Sequence, residues 1–147
     1  MAIDSRSAKN IATLHEKLQP LAEALLEAAA REGITVKVIG GTRTHAEQNE
    51  LYAQGRTRPG KVVTKARGGE SIHNFGLAFD VGVFSKDGKA YIPESADYRR
   101  LGKLGKELGL IWGGDWRFVD EPHFEYDHNR SLSELAAAQE AKGDPLG

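Results

Sequence analysis

The sequence predicts an α+β fold, a small antiparallel sheet flanked by helices. Three observations lead there. Apolar residues recur at helical spacing in separate stretches, short β-branched alternating runs lie between them, and the two do not follow the regular βαβ order of a parallel sheet. The 147 residues suffice for one domain with its own core, taken as the whole of 1–147.

Each element has its own signal. Leu14, Leu18, Leu21, Leu25 and Ala28 or Ala29 share a helical face. Pro20 interrupts it, because proline suits the first turn of a helix and not its middle. A short helix to about Leu18 is therefore expected before a longer one over 20–32, stopped by Gly33. Residues 34–39 alternate and are β-branched, a strand ended by Gly40 and Gly41. Thr44 caps the next helix, with Glu47 completing a capping box and Leu51 and Tyr52 following before Gly55.

Residues 55–70 are Gly- and Lys/Arg-rich and broken at Pro59-Gly60. From Arg43 to Arg67, six basic residues stand against Glu47 and Glu50, a local +4. That charge suits a solvated loop or a flexible wall meeting an anionic polymer. Residues 77–84 read as a strand, and Asp87-Gly88 as a hairpin turn before Ala90, Tyr91 and Ile92. Ser95 opens a helix with Tyr98, Leu101, Leu104 and Leu108 on one face, ending at Gly109. Residues 110–112 and 123–126 are short strands around a Gly-Gly-Asp turn. Ser131 caps an Ala-rich helix, and residues 143–147 are expected to fray.

Composition narrows the chemistry. A net charge of −1 gives no global attraction to nucleic acid. No apolar run approaches the ~20 residues that cross a bilayer. Residues 1–10 lack the apolar stretch of a secretory signal, so synthesis in the cytoplasm is expected. Cysteine is absent, which excludes disulfides, thiol nucleophiles and thiolate metal sites. Any metal must sit on His, Asp or Glu, and there are five histidines.

The densest signal is the stretch 71–80. His73 and Asp80 lie seven positions apart with Gly76 between them to permit a turn, and His123 follows far downstream between acids. Two imidazoles and one carboxylate form a three-ligand zinc site whose fourth position stays open for water. A serine-hydrolase reading of Ser71, His73 and Asp80 fails, because no Gly-x-Ser-x-Gly elbow is present and Ser and His are only two apart. For a general base, strand alternation favours Glu121, which with Glu125 would share the face of His123, over Asp120. Pro122 disturbs that alternation and leaves the choice open. Trp112 and Trp116 suit core and turn packing better than a stacking wall, Phe75 suits packing, and His15 and His128 suit the surface. Asp115 and Asp127 have no assignable role.

The pattern Ser71-x-His73-x-x-Gly76-x-Ala78-x-Asp80, followed by Asp120-x-x-His123, resembles the zinc peptidases of bacterial peptidoglycan. These are the D-alanyl-D-alanine carboxypeptidases and dipeptidases and the L-alanyl-D-glutamate endopeptidases, whose fold is shared with the hedgehog signalling domain. Residues 41–56, with Arg43, Glu47, Gln48, Leu51 and Tyr52, and residues 59–64 resemble the endopeptidase branch. The likeness covers about 21–126. It implies His73, Asp80 and His123 as ligands of one zinc ion, Asp120 as the catalytic acid/base and Arg43 as the group steadying the substrate carbonyl. Ser71 and Gln48 are expected to bind substrate.

The resemblance implies hydrolysis of the peptidoglycan stem peptide, first at the L-alanyl-D-glutamate bond, as in an endolysin lysing the cell wall. D-alanyl-D-alanine carboxypeptidase or dipeptidase activity is the alternative, and a non-catalytic zinc-binding interaction module a more distant one. A monomer is expected. It would reach the wall through a phage pore protein, or act in the periplasm or outside if an export signal was removed.

Overall fold

The computed structural model describes residues 3–147. Its elements run α1 (Ser5–Ile11), α2 (Gln19–Arg31), β1 (Val36–Gly40), α3 (His45–Ala53), β2 (Ala78–Phe84), β3 (Tyr91–Ile92), α4 (Asp97–Glu107), β4 (Ile111–Trp112), β5 (His123–Glu125) and α5 (Leu132–Lys142). A 3-10 turn over Ile72–Phe75 leads into β2. Every sheet pairing is antiparallel. β1 lies along one edge of β2, while β5 and β3 share the other edge, and β4 extends the sheet beyond β5.

The expected elements form, with boundary changes. The first helix ends at Ile11, not Leu18; Leu14 and Leu18 reach the core from the turns that follow. Pro20 sits in the first turn of α2, where its missing N–H costs nothing. Thr44 and Glu47 form their capping box, and Ser131 does the same with Glu134.

β2 organises the molecule through its two faces. Phe79, Val81 and Val83 point to one side, into the main core with Val38, Leu25, Leu101 and Phe124. Asp80 points to the other side. α4 approaches the core closely because Gly105 has no side chain: a methyl group there would overlap the ring of the fully buried Phe124. Gly105→Ala should therefore cost about 1–3 kcal/mol by overpacking, less up to ~1 kcal/mol of helix propensity. The expected result is a fall of several degrees in the thermal midpoint. An unchanged midpoint would mean that α4 is not seated on Phe124.

The core extends outside residues 21–126 at both ends. Ile11, Leu14 and Leu18 belong to the main cluster, and Leu135 and Leu146 pack with Phe75 and Leu77 in a second one. The tail is accordingly docked rather than frayed. Leu146 is buried, Arg130 donates to the carbonyls of Pro145 and Gly147, and Asp144 accepts from His15 at 2.8 Å. His15 is thus a partly enclosed tether rather than a free surface histidine.

The basic stretch 55–70 is held against α3. The guanidiniums of Arg56 and Arg67 lie against the ring of Tyr52, Arg58 pairs with Glu50, and buried Gln48 donates to the carbonyl of Ala66. These contacts pin the basic side chains to α3 without changing the net charge of the stretch.

Candidate active site

Three elements bring the expected ligands together. In the register of β2 and β5, Asp80 stands directly opposite His123, and cross-strand partners share a face. Gly40 of β1 is the neighbour of Asp80 on its other side and adds no side chain to that face. His73 arrives on the 3-10 turn, capped by Ser71, whose Oγ accepts from the N–H of His73. The turn closes at Gly76 with φ of 73°, and a Cβ there would meet the backbone nitrogen of His15 at 2.8 Å.

The resulting donors converge. One ligand atom from each of His73, Asp80 and His123 lies within 4.8 Å of the others. His73 Nε2 and His123 Nδ1 are 3.3 Å apart, and each is 3.5 Å from an Asp80 carboxylate oxygen. Both outer ring nitrogens donate to fixed acceptors. His73 Nδ1 bonds the Gly41 carbonyl at 3.1 Å, and His123 Nε2 bonds Glu125 Oε1 at 2.7 Å. Those bonds fix the tautomers, so both inner nitrogens turn lone pairs toward each other and toward the Asp80 carboxylate.

A cation reconciles three such lone-pair donors. A proton is one solution: burial disfavours a charged His123, but the hydrogen bonds it donates to the Asp80 and Glu125 carboxylates outweigh that and push its pKa to about 9. Burial brings His73 down to about 4, against the attraction of Asp80. Burial likewise opposes ionisation of Asp80, yet both histidines and Arg43 hold its carboxyl below the usual range. A divalent metal ion satisfies the same three lone pairs, and the all-nitrogen-and-oxygen donor set fits zinc.

The site lies in a cavity of about 590 Å³. Arg43 reaches into it, donating through Nη2 to Asp80 Oδ2 at 3.2 Å and through Nη1 to Gln48 Oε1 at 3.2 Å. Asp120 lines the cavity, its carboxyl raised above the usual range by desolvation and then by the charge of Asp80. Glu121 turns away, its carboxylate facing Arg99 and its carbonyl accepting from Trp112 Nε1. Alternation did not apply here because β5 begins only at His123. Glu125, one period along that strand, does share the face of His123.

Ser71 lines the cavity as well as capping the turn. Gln48, expected at the substrate, is instead fully buried behind Arg43 and offers the cavity no atom. Two residues stand closer to the site than sequence reasoning placed them. Trp116, read as turn packing, lines the cavity with its ring 4.7 Å from that of His123. Asn74 donates to the Arg43 carbonyl and accepts from the N–H groups of Gly69 and Ser71, tying the two arms of the site together. Trp112, in contrast, is a core residue.

Comparison with known proteins places this geometry in context. The peptidase M15 family model described as D-alanyl-D-alanine carboxypeptidase matches residues 64–126. The chain is 47% identical over 121 residues to the peptidoglycan L-alanyl-D-glutamate endopeptidase CwlK of Bacillus subtilis, covering 76% of this chain and 72% of that protein. It is 29% identical over 129 residues to the L-alanyl-D-glutamate peptidase of Listeria phage A118, covering 84% of this chain but only 42% of the phage protein. Among solved structures, the L-Ala D-Glu endopeptidase ChiX of Serratia marcescens superposes with a TM-score of 0.62 at 26% identity, over 82% of this chain and 86% of that one.

Proposed function

We propose, from the premise that the chain belongs to the peptidase M15 family of peptidoglycan peptidases, that it cleaves the L-alanyl–D-glutamate bond of the stem peptide. The observation that carries this bond is the 47% identity to an endopeptidase of that specificity over 72% of its length. Residues 1–147 would form one peptidase domain acting as a monomer. His73, Asp80 and His123 would hold one zinc ion. A zinc ion held there supplies the Lewis acidity that makes water nucleophilic near neutral pH and polarises an amide carbonyl.

The remaining chemistry belongs to side chains. Asp120 takes the proton of the attacking water and returns it to the leaving amine, a task suited to a carboxyl whose pKa is raised toward neutrality. Arg43 steadies the oxyanion that develops on the alanyl carbonyl, a contribution of roughly 3–4 kcal/mol in comparable sites. Gln48 acts through Arg43, holding its guanidinium toward the cavity. Ser71 is read as a substrate contact beside His73.

Chelation provides the direct test. Treatment with a chelator should abolish clearing of isolated cell walls, and added zinc should restore it. Clearing that survives complete metal removal would exclude the mechanism. Product analysis decides the bond: a new N-terminal D-glutamate is expected. Release of D-alanine would favour the carboxypeptidase reading, which the description of the matching family model supports. Among the described residues no helix is long and apolar enough to cross a membrane. We infer that delivery to the wall depends on a phage pore protein or on an export signal.

A further inference from the structure

A second groove opens from the catalytic cavity and shares Thr64, Ala66 and Glu70 with it. Its far wall is the start of α5, with Leu132, Ser133 and Ala136, and its volume of about 580 Å³ nearly equals that of the cavity itself. A peptide bound across the metal site could therefore continue into it without leaving the protein surface.

The lining of this groove carries uncommitted charge. Arg56, Arg58 and Arg67 are each engaged with Tyr52 or Glu50, but Lys65, which lines the groove, has its ammonium, among the described residues, only against the ring of Phe118, 4.8 Å from its centroid. That contact leaves its N–H donors available. Glu70 accepts from the backbone N–H of Arg67, and among the described residues no cation pairs with its carboxylate. In the same lining Leu132 stays 42% exposed. The groove thus offers an anion, a cation and an aliphatic strip.

A glycan strand, a chain of polar rings with few charges, makes poor use of that combination. The stem-peptide residue that follows D-glutamate, a diamino acid, matches it: an aliphatic side chain ends in an amine, and the neighbouring residues carry carboxylates. We propose that this groove binds the diamino acid, with its methylenes on Leu132 and Ala136, its ammonium at Glu70, and a carboxylate of the same peptide at Lys65. The inference rests on the endopeptidase reading above and adds a specificity subsite to it.

Three synthetic substrates test it with the zinc-loaded protein: L-Ala-γ-D-Glu amide, L-Ala-γ-D-Glu-L-Lys, and the same tripeptide with Nε-acetyl-lysine. The free amine should improve kcat/KM over its acetylated counterpart by about fivefold, chiefly in KM, the size expected of one partly solvated ion pair. Glu70→Gln should bring that ratio close to one, whatever it does to turnover itself. Leu132→Ser should lower both tripeptides relative to the amide. The subsite is overturned if the unmodified protein cleaves both tripeptides equally well, or if the ratio persists in E70Q. Failure of the protein to cut any of the three between alanine and glutamate would overturn the endopeptidase reading and the subsite together.

Discussion

Asp120→Ala is expected to abolish peptidoglycan hydrolysis while leaving metal binding intact. Proton transfer by a positioned carboxyl contributes about 10²–10⁴-fold, so turnover should fall by that factor, the barrier rising by roughly 3–5 kcal/mol. Metal should stay because Asp120 is not one of the three convergent donors, and the acceptors that orient the two imidazoles, Gly41 and Glu125, are untouched. The fold should stay too. Asp120 supports its loop through backbone atoms, its N–H donating to Gly113 and its carbonyl accepting from His123, and alanine keeps both bonds. Glu121→Ala is the informative control, since that carboxylate faces Arg99 rather than the cavity. The measurement is wall clearing beside metal content for both variants. Full hydrolysis in D120A, or an equal loss in E121A, would remove Asp120 from the mechanism.

The choice between these adjacent acids marks where sequence reasoning reached its end. Alternation is a property of a paired strand, and residues 120–122 are turn, so the rule that favoured Glu121 had no strand to act on. The same rule was informative two residues later, where Glu125 does share the face of His123. Local signals carried the elements well. The Thr44–Glu47 box, the cap at Ser131, the alternating residues of β1 and the stop at Gly33 all depend on residues a few positions apart. Boundaries failed where tertiary packing took over: Leu14 and Leu18 look helical by spacing but enter the core from turns, and the tail is held by distant His15 and Arg130.

The site shows the same division. Residue types and spacing nominated His73, Asp80 and His123, but the feature that joins two of them is the register Asp80↔His123, set by strands more than forty residues apart in sequence. No local pattern encodes it. Gln48 is the clearest case of a position illegible in sequence. A glutamine on a polar helix looks like a solvent-facing or substrate-facing group, and only the docked loop at 64–66 turns it into a fully buried brace for Arg43. The positive charge of 43–67 was legible as a sum but not in its arrangement: Arg56 and Arg67 lie on Tyr52 and Arg58 on Glu50, which pins these side chains to α3 and leaves the net charge as counted.

His73→Ala should produce the other large effect, losing zinc and activity together. His73 supplies one of the three convergent donors found among the described residues, and alanine leaves a site of two protein ligands, His123 and Asp80, in place of three. The Gly41 carbonyl also loses its donor, which adds a modest destabilisation of about 1–3 kcal/mol to the metal-free fold. Thermal denaturation with and without zinc separates these two losses. A ligand that binds only the folded state raises stability by RT ln(1 + [L]/Kd), so zinc should lift the midpoint of the unmodified protein. H73A should start a few degrees lower and show no lift. D120A should keep the full lift while hydrolysing nothing. The paired outcome distinguishes a residue that holds the metal from one that moves the proton, which activity alone cannot do because both variants are inactive. A lift of normal size in H73A would mean that zinc sits elsewhere, and the convergence of His73, Asp80 and His123 would then need a different explanation.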